Sequence, residues 1–171
     1  LSLRRQRQMC IRDSPKKVPL PPYFPDTETV RNDVARNYSN IELLDHMVGE
    51  LILELKADNL FDNTYIFFFS DHGGPLPRGK RSHYESGLKV PLLIRDPYVK
   101  SKIFVHEPVS FVDFAPTVLS LAGIRIPEHF QGIPFLGDKK SDYPRDYIFG
   151  SGDRFDETYD LSLIHISEPT R

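Results

Sequence analysis

Three consecutive residues, Asp71, His72 and Gly73, place a carboxylate and an imidazole directly after an apolar run. The run from Thr64 to Ser70 is rich in β-branched and aromatic residues, which predicts a buried strand. Open α/β sheets place ligand sites beyond the carboxyl ends of their strands, and this donor pair can bind a divalent metal. The same pair can instead form a turn capped by Asp71, with His72 in solvent. Both a metal half-site and a structural turn are therefore open.

A lysine follows in the next loop and is the second candidate for chemistry. Lys80 carries an ammonium group, which can bind an anion when it is held in place. His83 can also touch a substrate, and Arg78 and Arg81 are weaker candidates of the same kind. The alternative is a loop of solvated charges, because most lysines lie at protein surfaces.

A long helix and two strands are predicted around these residues. Apolar residues recur at intervals of three, four and seven from Val30 to Leu55, with Asp26 or Thr27 as the cap, which predicts one amphipathic helix that ends at Asp58 and Asn59. The run VPLLIR, residues 90–95, predicts the strand after the loop. A long helix beside buried strands indicates an α/β fold with a mostly parallel sheet flanked by helices.

Smaller elements are predicted towards the C-terminus. Residues 109–112 are short and apolar and predict a strand. A helix is predicted next, with Pro116 in its first turn and Gly123 after its end. Residues 147–149 predict a further strand.

Composition excludes several classes of partner. The 171 residues contain 22 basic and 24 acidic side chains, a formal charge of −2, so no general positive field favours nucleic acid or an anionic membrane. We therefore predict neither as a partner. Apolar residues make up 39% of the chain, enough for a packed core, and no apolar run is long enough to span a bilayer.

The two ends differ in character from the rest of the chain. When back-translated, MCIRDS near the start and LSLIHI near the end are reverse complements over most of their length. This symmetry predicts that residues 1–14 and 161–171, including the single cysteine Cys10, derive from a DNA adapter and not from the gene. The alternative is a basic arm and an amphipathic tail. Residues 15–160 are then the domain, and we expect it to be truncated at both ends.

The run SDHGGPLPRGKRSHYESGLKVPLLIR, from Ser70 to Arg95, resembles the type I sulfatase pattern. That pattern has a strand, Asp-Asn-Gly, Gly-Lys or Gly-Arg, Tyr-Glu, Gly and a Val-Pro strand. VSFVDFAPTVLSLAGI, from Val109 to Ile124, is similar to a later segment of the family. The resemblance extends over about Val18 to Asp160 and is strongest to the heparan N-sulfatase (sulfamidase) branch. It implies the C-terminal part of an alkaline phosphatase-like sulfatase fold.

The resemblance also implies roles for particular residues. Asp71 and His72 would bind a divalent cation, which in this family is usually Ca2+. His72 stands where the family more often has Asn, and its imidazole suits Zn2+ or Mn2+ better. Lys80 would bind the sulfate, and His83 and Arg154 would contact the substrate. The family's nucleophile is a formylglycine made from Cys or Ser in Cys/Ser-x-Pro-x-Arg. Residues 15–160 lack that motif, so the nucleophile is expected in an N-terminal half that precedes them, and this chain alone is expected to be inactive.

For the intact parent, the resemblance implies hydrolysis of a sulfate ester or sulfamate on a glycan or small molecule, in a secreted, periplasmic or lysosome-like location. One alternative is a zinc-dependent phosphatase or phosphodiesterase of the alkaline phosphatase superfamily, which His72 favours. Another is a non-catalytic carbohydrate-binding module. An upstream Cys/Ser-x-Pro-x-Arg motif would distinguish the sulfatase from the phosphatase.

Overall fold

The structure is a computed structural model and describes residues 14–80, 82–143 and 145–150. These residues form two compact units. Within the described residues, the first unit comprises 14–71, Pro75–Pro77 and Pro91–Lys100, and the second comprises His72–Gly74, 78–90 and 101–150. No helix among the described residues has the length and apolar character needed to cross a membrane.

The first unit is built on helix α1, Glu28–Ala57. Its N-terminus is capped by Thr27, whose hydroxyl oxygen accepts the N–H of Val30 at 3.3 Å. The helix ends at the C-cap Asp58, and Asn59 follows with a φ of 58°, a left-handed conformation that asparagine tolerates. Both predicted boundaries are therefore confirmed.

The core of the first unit lies at the N-terminal half of α1. Val34 and Ala35 are buried together with Val18 from the preceding proline-rich segment. The partly buried residues packed against them are Leu20, Phe24, Val30 and Leu76. Arg31 fastens the same segment, because its guanidinium donates to the Asp26 carboxylate at 2.8 Å and to the carbonyl of residue 15 at 3.2 Å.

The sheet of the first unit is antiparallel, so the structure does not confirm the predicted parallel sheet. Strand β1, Ile66–Phe69, pairs with strand β2, Leu92–Arg95, with Ile66 opposite Arg95 and Phe69 opposite Leu92. A parallel pair is usually joined by a crossover helix, whereas an antiparallel pair needs only a reversal of the chain. Between these strands the only α-helix in the described residues is the single turn α2, Glu85–Leu88.

The second unit contains helix α3, Phe114–Leu121, preceded by a 3-10 turn at Phe111–Asp113. The predicted strand at residues 109–112 is therefore wrong. Ser110 and Asp113 form a reciprocal capping box, which satisfies the backbone locally and turns the chain into a helix. The predictions for α3 are confirmed: Pro116 lies in its first turn and Gly123 follows its end with a φ of 67°.

The predicted strand at residues 147–149 is also wrong, since the structure shows no strand there. Tyr147 and Phe149 are 75% and 88% exposed, so neither has the packed neighbours that make an apolar run favourable as a strand. Among the described residues, helices and a small two-stranded sheet both occur, in agreement with the broad α/β class.

Candidate functional site

The predicted metal pair, Asp71 and His72, follows strand β1 in the chain. Asp71 is the second residue after β1 and has an exposed side chain. It ends a segment of the first unit, and His72 begins a segment of the second. The position just beyond a strand's carboxyl end agrees with the prediction, although the strand belongs to an antiparallel pair.

The imidazole of His72 is held by the backbone. Its Nδ1 lies 2.8 Å from the carbonyl oxygen of Gly73, and the ring is half-buried. A carbonyl oxygen can only accept a hydrogen bond, so Nδ1 carries the proton and the lone pair of the neutral ring lies on Nε2. Metal-binding histidines are commonly oriented in this way, by a hydrogen bond from the other ring nitrogen. The His72 tautomer therefore suits a metal ligand.

Backbone hydrogen bonds close the segment that carries Lys80, which we call the lysine loop: residues 72–74, 78–80 and 82–88. The Gly73 N–H donates to the Gly87 carbonyl at 2.9 Å, and the Lys80 N–H donates to the Gly74 carbonyl at 2.8 Å. A Cβ on Gly73 would lie 1.9 Å from the carbonyl oxygen of Ser86. Glycine is thus required at Gly73 by close approach of two backbone segments.

The charged side chains of the lysine loop lie at its surface. Lys80 and His83 are both exposed, whereas Gly79 and Gly87 of the same loop are buried. A Cβ on Gly87 would lie 2.1 Å from the Ser82 carbonyl oxygen, so this part of the loop is also packed backbone against backbone. The loop therefore combines a main chain fixed by backbone contacts with the exposed ammonium of Lys80.

Asp71 and His72 fit two ligands of a metal site but do not complete one. Among the described residues, no group of three His, Cys, Asp or Glu side chains is arranged to hold a metal ion. A carboxylate oxygen suits a hard cation such as Ca2+, and an imidazole nitrogen suits Zn2+ or Mn2+ as well. Calcium takes six to eight oxygen ligands, so other groups would have to supply most of the coordination.

A second polar cluster, which sequence reasoning missed, surrounds Asp113 in the second unit. Asp113 is only 2% exposed and accepts the N–H groups of Ser110 at 2.9 Å and Ile133 at 2.8 Å. The Arg145 guanidinium also donates to it, at 2.5 Å and 3.2 Å. Burial raises the pKa of Asp113, but the hydrogen bonds from Arg145 and the two backbone groups outweigh burial and hold this pKa below its usual value.

The same face of α3 binds further backbone groups of residues 133–139. The Thr117 hydroxyl accepts the N–H of Phe135 at 3.0 Å, and the Ser120 hydroxyl accepts that of Lys139 at 2.9 Å. Asp113, Thr117 and Ser120 therefore lie on one helical face, at spacings of four and three residues. The Ser110-to-Asp113 spacing of a capping box was the sequence signal that could have revealed the first of them.

The remaining predicted site residues lie outside the described residues. These are Arg154 and the weaker candidate Arg81. One pattern was overlooked: Ser167 begins Ser-Glu-Pro-Thr-Arg, which formally matches Cys/Ser-x-Pro-x-Arg. This match falls in the predicted adapter tail and follows the metal pair in the chain, whereas the expected nucleophile precedes it.

Comparison with known proteins identifies the family. A model of the sulfatase family matches residues 13–124. The ulvan-active sulfatase of Formosa agariphila is 46% identical over 85% of the chain. Human arylsulfatase K is 36% identical over 63% of the chain, and human N-sulphoglucosamine sulphohydrolase is 35% identical over 64%.

The chain spans only part of these relatives, namely 24% of the length of the first, 21% of the second and 22% of the third. The matched region nevertheless contains Asp71, His72, the lysine loop and α3. A sulfatase domain implies an alkaline phosphatase-like α/β fold, of which the structure shows a small sheet with helices. Because the family model matches most of the length of this chain, the chain belongs to the type I sulfatases.

Proposed function

We propose that the full-length protein is a metal-dependent sulfatase that releases sulfate from a sulfated glycan. The observation that carries this proposal is the family match over residues 13–124, which covers an exposed lysine on a backbone-fixed loop and an adjacent Asp-His pair. Both features can supply the positive charge that transfer of a sulfuryl group requires: the lysine carries its own ammonium, and the Asp-His pair can bind a metal cation.

Asp71 and His72 are assigned to the metal. The exposed Asp71 carboxylate supplies a hard oxygen ligand, and His72 supplies Nε2, because its Nδ1 proton is directed at the Gly73 carbonyl. A divalent cation bound there would withdraw charge from the sulfate oxygens. Ca2+ is the proposed ion, with Zn2+ and Mn2+ as alternatives because of the imidazole.

Lys80 is assigned to the sulfate group. Its backbone N–H is fixed by the Gly74 carbonyl, so the loop determines where the side chain begins, and the exposed ammonium can reach a bound anion. An ammonium held there stabilises negative charge that develops on the leaving oxygen. His83, in the same loop and also exposed, is assigned to contact with the sugar.

The substrate is proposed to be a sulfate ester of a polysaccharide in preference to a sulfamate. The identity to the ulvan-active sulfatase is 46% over 85% of the chain, against 35% over 64% for the N-sulphoglucosamine sulphohydrolase. The resemblance to the sulfamidase branch therefore supports membership of the sulfatase family more than it supports a sulfamate substrate. A secreted or lysosome-like location is proposed with it, and one relative is the extracellular sulfatase SULF-1 homolog of Drosophila melanogaster.

The test is sulfate release by the full-length protein and three variants. Asp71→Ala is expected to abolish turnover, and Lys80→Ala to lower kcat/KM by about a hundredfold, the typical cost of losing one group that stabilises transition-state charge. Lys89→Ala is the matched control: it removes an exposed lysine of the same unit and should leave kcat/KM unchanged. Metal removal should abolish activity, and restoration with Ca2+, Zn2+ or Mn2+ in turn identifies the ion.

Full activity in both Asp71→Ala and Lys80→Ala would overturn the assignment. Release of phosphate instead of sulfate would support the phosphatase alternative. Binding of a glycan without any turnover would support the non-catalytic carbohydrate-binding alternative.

A further inference from the structure

Two large aromatic side chains lie in solvent near the C-terminal end of the described residues. Tyr147 is 75% exposed and Phe149 is 88% exposed. Ile148 between them is 48% exposed, so three consecutive side chains form an exposed apolar stretch. Contiguous apolar groups at a protein surface commonly mark a site where a partner or a ligand binds. We call residues 145–150 the aromatic segment.

The aromatic segment is held at both of its ends. At one end the Arg145 guanidinium, whose side chain is only 19% exposed, donates to the buried Asp113 carboxylate at 2.5 Å. At the other end a Cβ added to Gly150 would lie 3.4 Å from both terminal methyl carbons of Leu88, so the main chain there lies close to that side chain. The aromatic side chains are therefore attached to a positioned main chain, and binding a ligand there requires little ordering of the protein.

The contact with Leu88 connects the aromatic segment to the lysine loop, within the second unit. Leu88 is the last residue of α2 and follows Gly87 in that loop. A Cβ on Gly87 would lie 2.6 Å from the carbonyl oxygen of Gly79, the residue that precedes Lys80. The aromatic segment therefore adjoins the loop that carries Lys80, and a ligand with several sugar rings is long enough to extend from one to the other.

The side chains of the aromatic segment suit the neutral face of a sugar ring. Each face of an aromatic ring is electron-rich and attracts the slightly positive hydrogens of C–H groups, several of which lie on one face of a pyranose. Next to Tyr147 the segment carries the exposed carboxylate of Asp146. Its only cation is Arg145, which is bound to Asp113. The segment therefore offers a sulfate group no cation beyond that ion pair, whereas a sugar hydroxyl can donate to Asp146.

We propose that Tyr147 and Phe149 form a subsite that binds a sugar ring next to the sulfated ring held by Lys80. The proposal rests on the proposed sulfatase function and deepens it by defining the substrate class: a chain of at least two sugar rings in preference to a single sulfated sugar. Lys80 binds the sulfate, and the two aromatic rings select substrates by their length. Because the subsite contacts a ring that does not react, it lowers KM and leaves kcat unchanged.

The experiment measures sulfate release from two substrates by the full-length protein. One is a single sugar with one sulfate, and the other is a trisaccharide in which that sulfated sugar has a neutral neighbour on each side. Phe149→Ala and Tyr147→Ala should each raise KM for the trisaccharide about five- to tenfold, the loss expected for one aromatic contact, with kcat unchanged. KM for the single sugar should change by less than about twofold in both variants.

Further variants separate stacking from general apolar contact. Phe149→Tyr keeps an aromatic ring and should behave like the wild type. Phe149→Leu keeps apolar volume but has no ring, so it should raise KM for the trisaccharide as Phe149→Ala does. Phe104→Ala is the matched control, since Phe104 belongs to the same unit and is 85% exposed. It should leave both KM values unchanged.

Each outcome decides the proposal. A rise in KM for the trisaccharide alone, in the variants that remove a ring and not in Phe104→Ala, supports it. Equal changes with both substrates, or no change with either, overturn it while the sulfatase function stands. A lower free energy of unfolding of Phe149→Ala on urea titration, with the KM ratio of the two substrates unchanged, also overturns it, because another part of the full-length protein or a second copy then covers the rings. If the wild-type protein releases no sulfate from either substrate, the proposed function fails and this inference fails with it.

Discussion

The lysine loop and the Asp113 cluster belong to the same unit and use the same chemical groups in opposite ways. In the loop, backbone groups bind one another, as Gly73 does to Gly87 and Lys80 to Gly74, and charged side chains remain at the surface. In the cluster, a carboxylate and a guanidinium are turned inward and bind each other and the backbone. A charge that is buried and fully hydrogen-bonded holds the fold, and a charge outside a fixed backbone can meet a ligand.

The comparison also shows how a perturbed pKa should be interpreted. Perturbed groups are often sought as markers of active sites. Here the pKa of Asp113 is lowered and that of Arg145 is raised, each because of the hydrogen bond to the other and against the effect of burial. Neither residue belongs to the candidate site. The shifted pKa values of Asp113 and Arg145 therefore mark a structural cluster.

The largest expected effect comes from removing the Asp113 carboxylate. Asp113→Ala should lower the free energy of unfolding by about 3–5 kcal/mol, because the Arg145 cation and two backbone N–H groups lose their acceptor inside the protein. Urea titration of the full-length protein measures it. Asp138→Ala, at an exposed position of the same unit, should change stability by no more than about 0.5 kcal/mol. Equal effects at both positions would remove the contrast between buried and exposed charge.

A smaller effect, on activity, is expected from disturbing the backbone of the lysine loop. Gly73→Ala places a Cβ against the Ser86 carbonyl oxygen, so the loop must shift, and a displacement of about 1 Å can lower kcat/KM by about a hundredfold. Gly74→Ala is the matched control, since a Cβ on Gly74 meets no heavy atom within 4 Å. The measurement is sulfate release by the full-length variants. Equal activity in Gly73→Ala and Gly74→Ala would contradict the role of close packing.

The smallest effect expected is on the pH dependence of stability. The folded-state pKa of Asp113 lies below its unfolded value, so the unfolded state binds more protons between the two and stability rises with pH there. This contribution is complete above about pH 3.9, the usual aspartate pKa, and is lost as pH falls through the folded value. Asp113→Asn cannot ionise, so its unfolding free energy should fall less than the wild type's on acidification, measured against Asp138→Asn as the control.

Local signals predicted the elements around the candidate site well. The Thr27 cap and the Asp58-Asn59 end of α1 are set by residues within a few positions of each other, and the structure has them as predicted. Pro116 and Gly123 bound α3 for the same reason. The sequence also predicted that Asp71 follows an apolar strand, because the apolar run and the Asp-His-Gly residues that end it are adjacent in the chain.

Signals that depend on distant partners were missed. The polar face of α3 shows the helical spacing that apolar faces show, but its residues are buried only because residues 133–139 lie against them. Arg145 is 32 residues from Asp113, and nothing in either neighbourhood predicts the pair. The glycines of the lysine loop were recognised as a family pattern, whereas the reason for them, two backbones in contact, appeared only in the structure.

By itself, the sequence determined the family of this protein, through an Asp-His pair after a strand, a lysine in the following loop, and the spacing that is typical of sulfatases. It also determined the caps of its helices, since a cap is an interaction between near neighbours in the chain. Only the tertiary structure decided that β1 and β2 pair antiparallel and which carboxylate is buried. Strand pairing and burial depend on which distant segments of the chain come into contact, and the residues near each position do not specify those contacts.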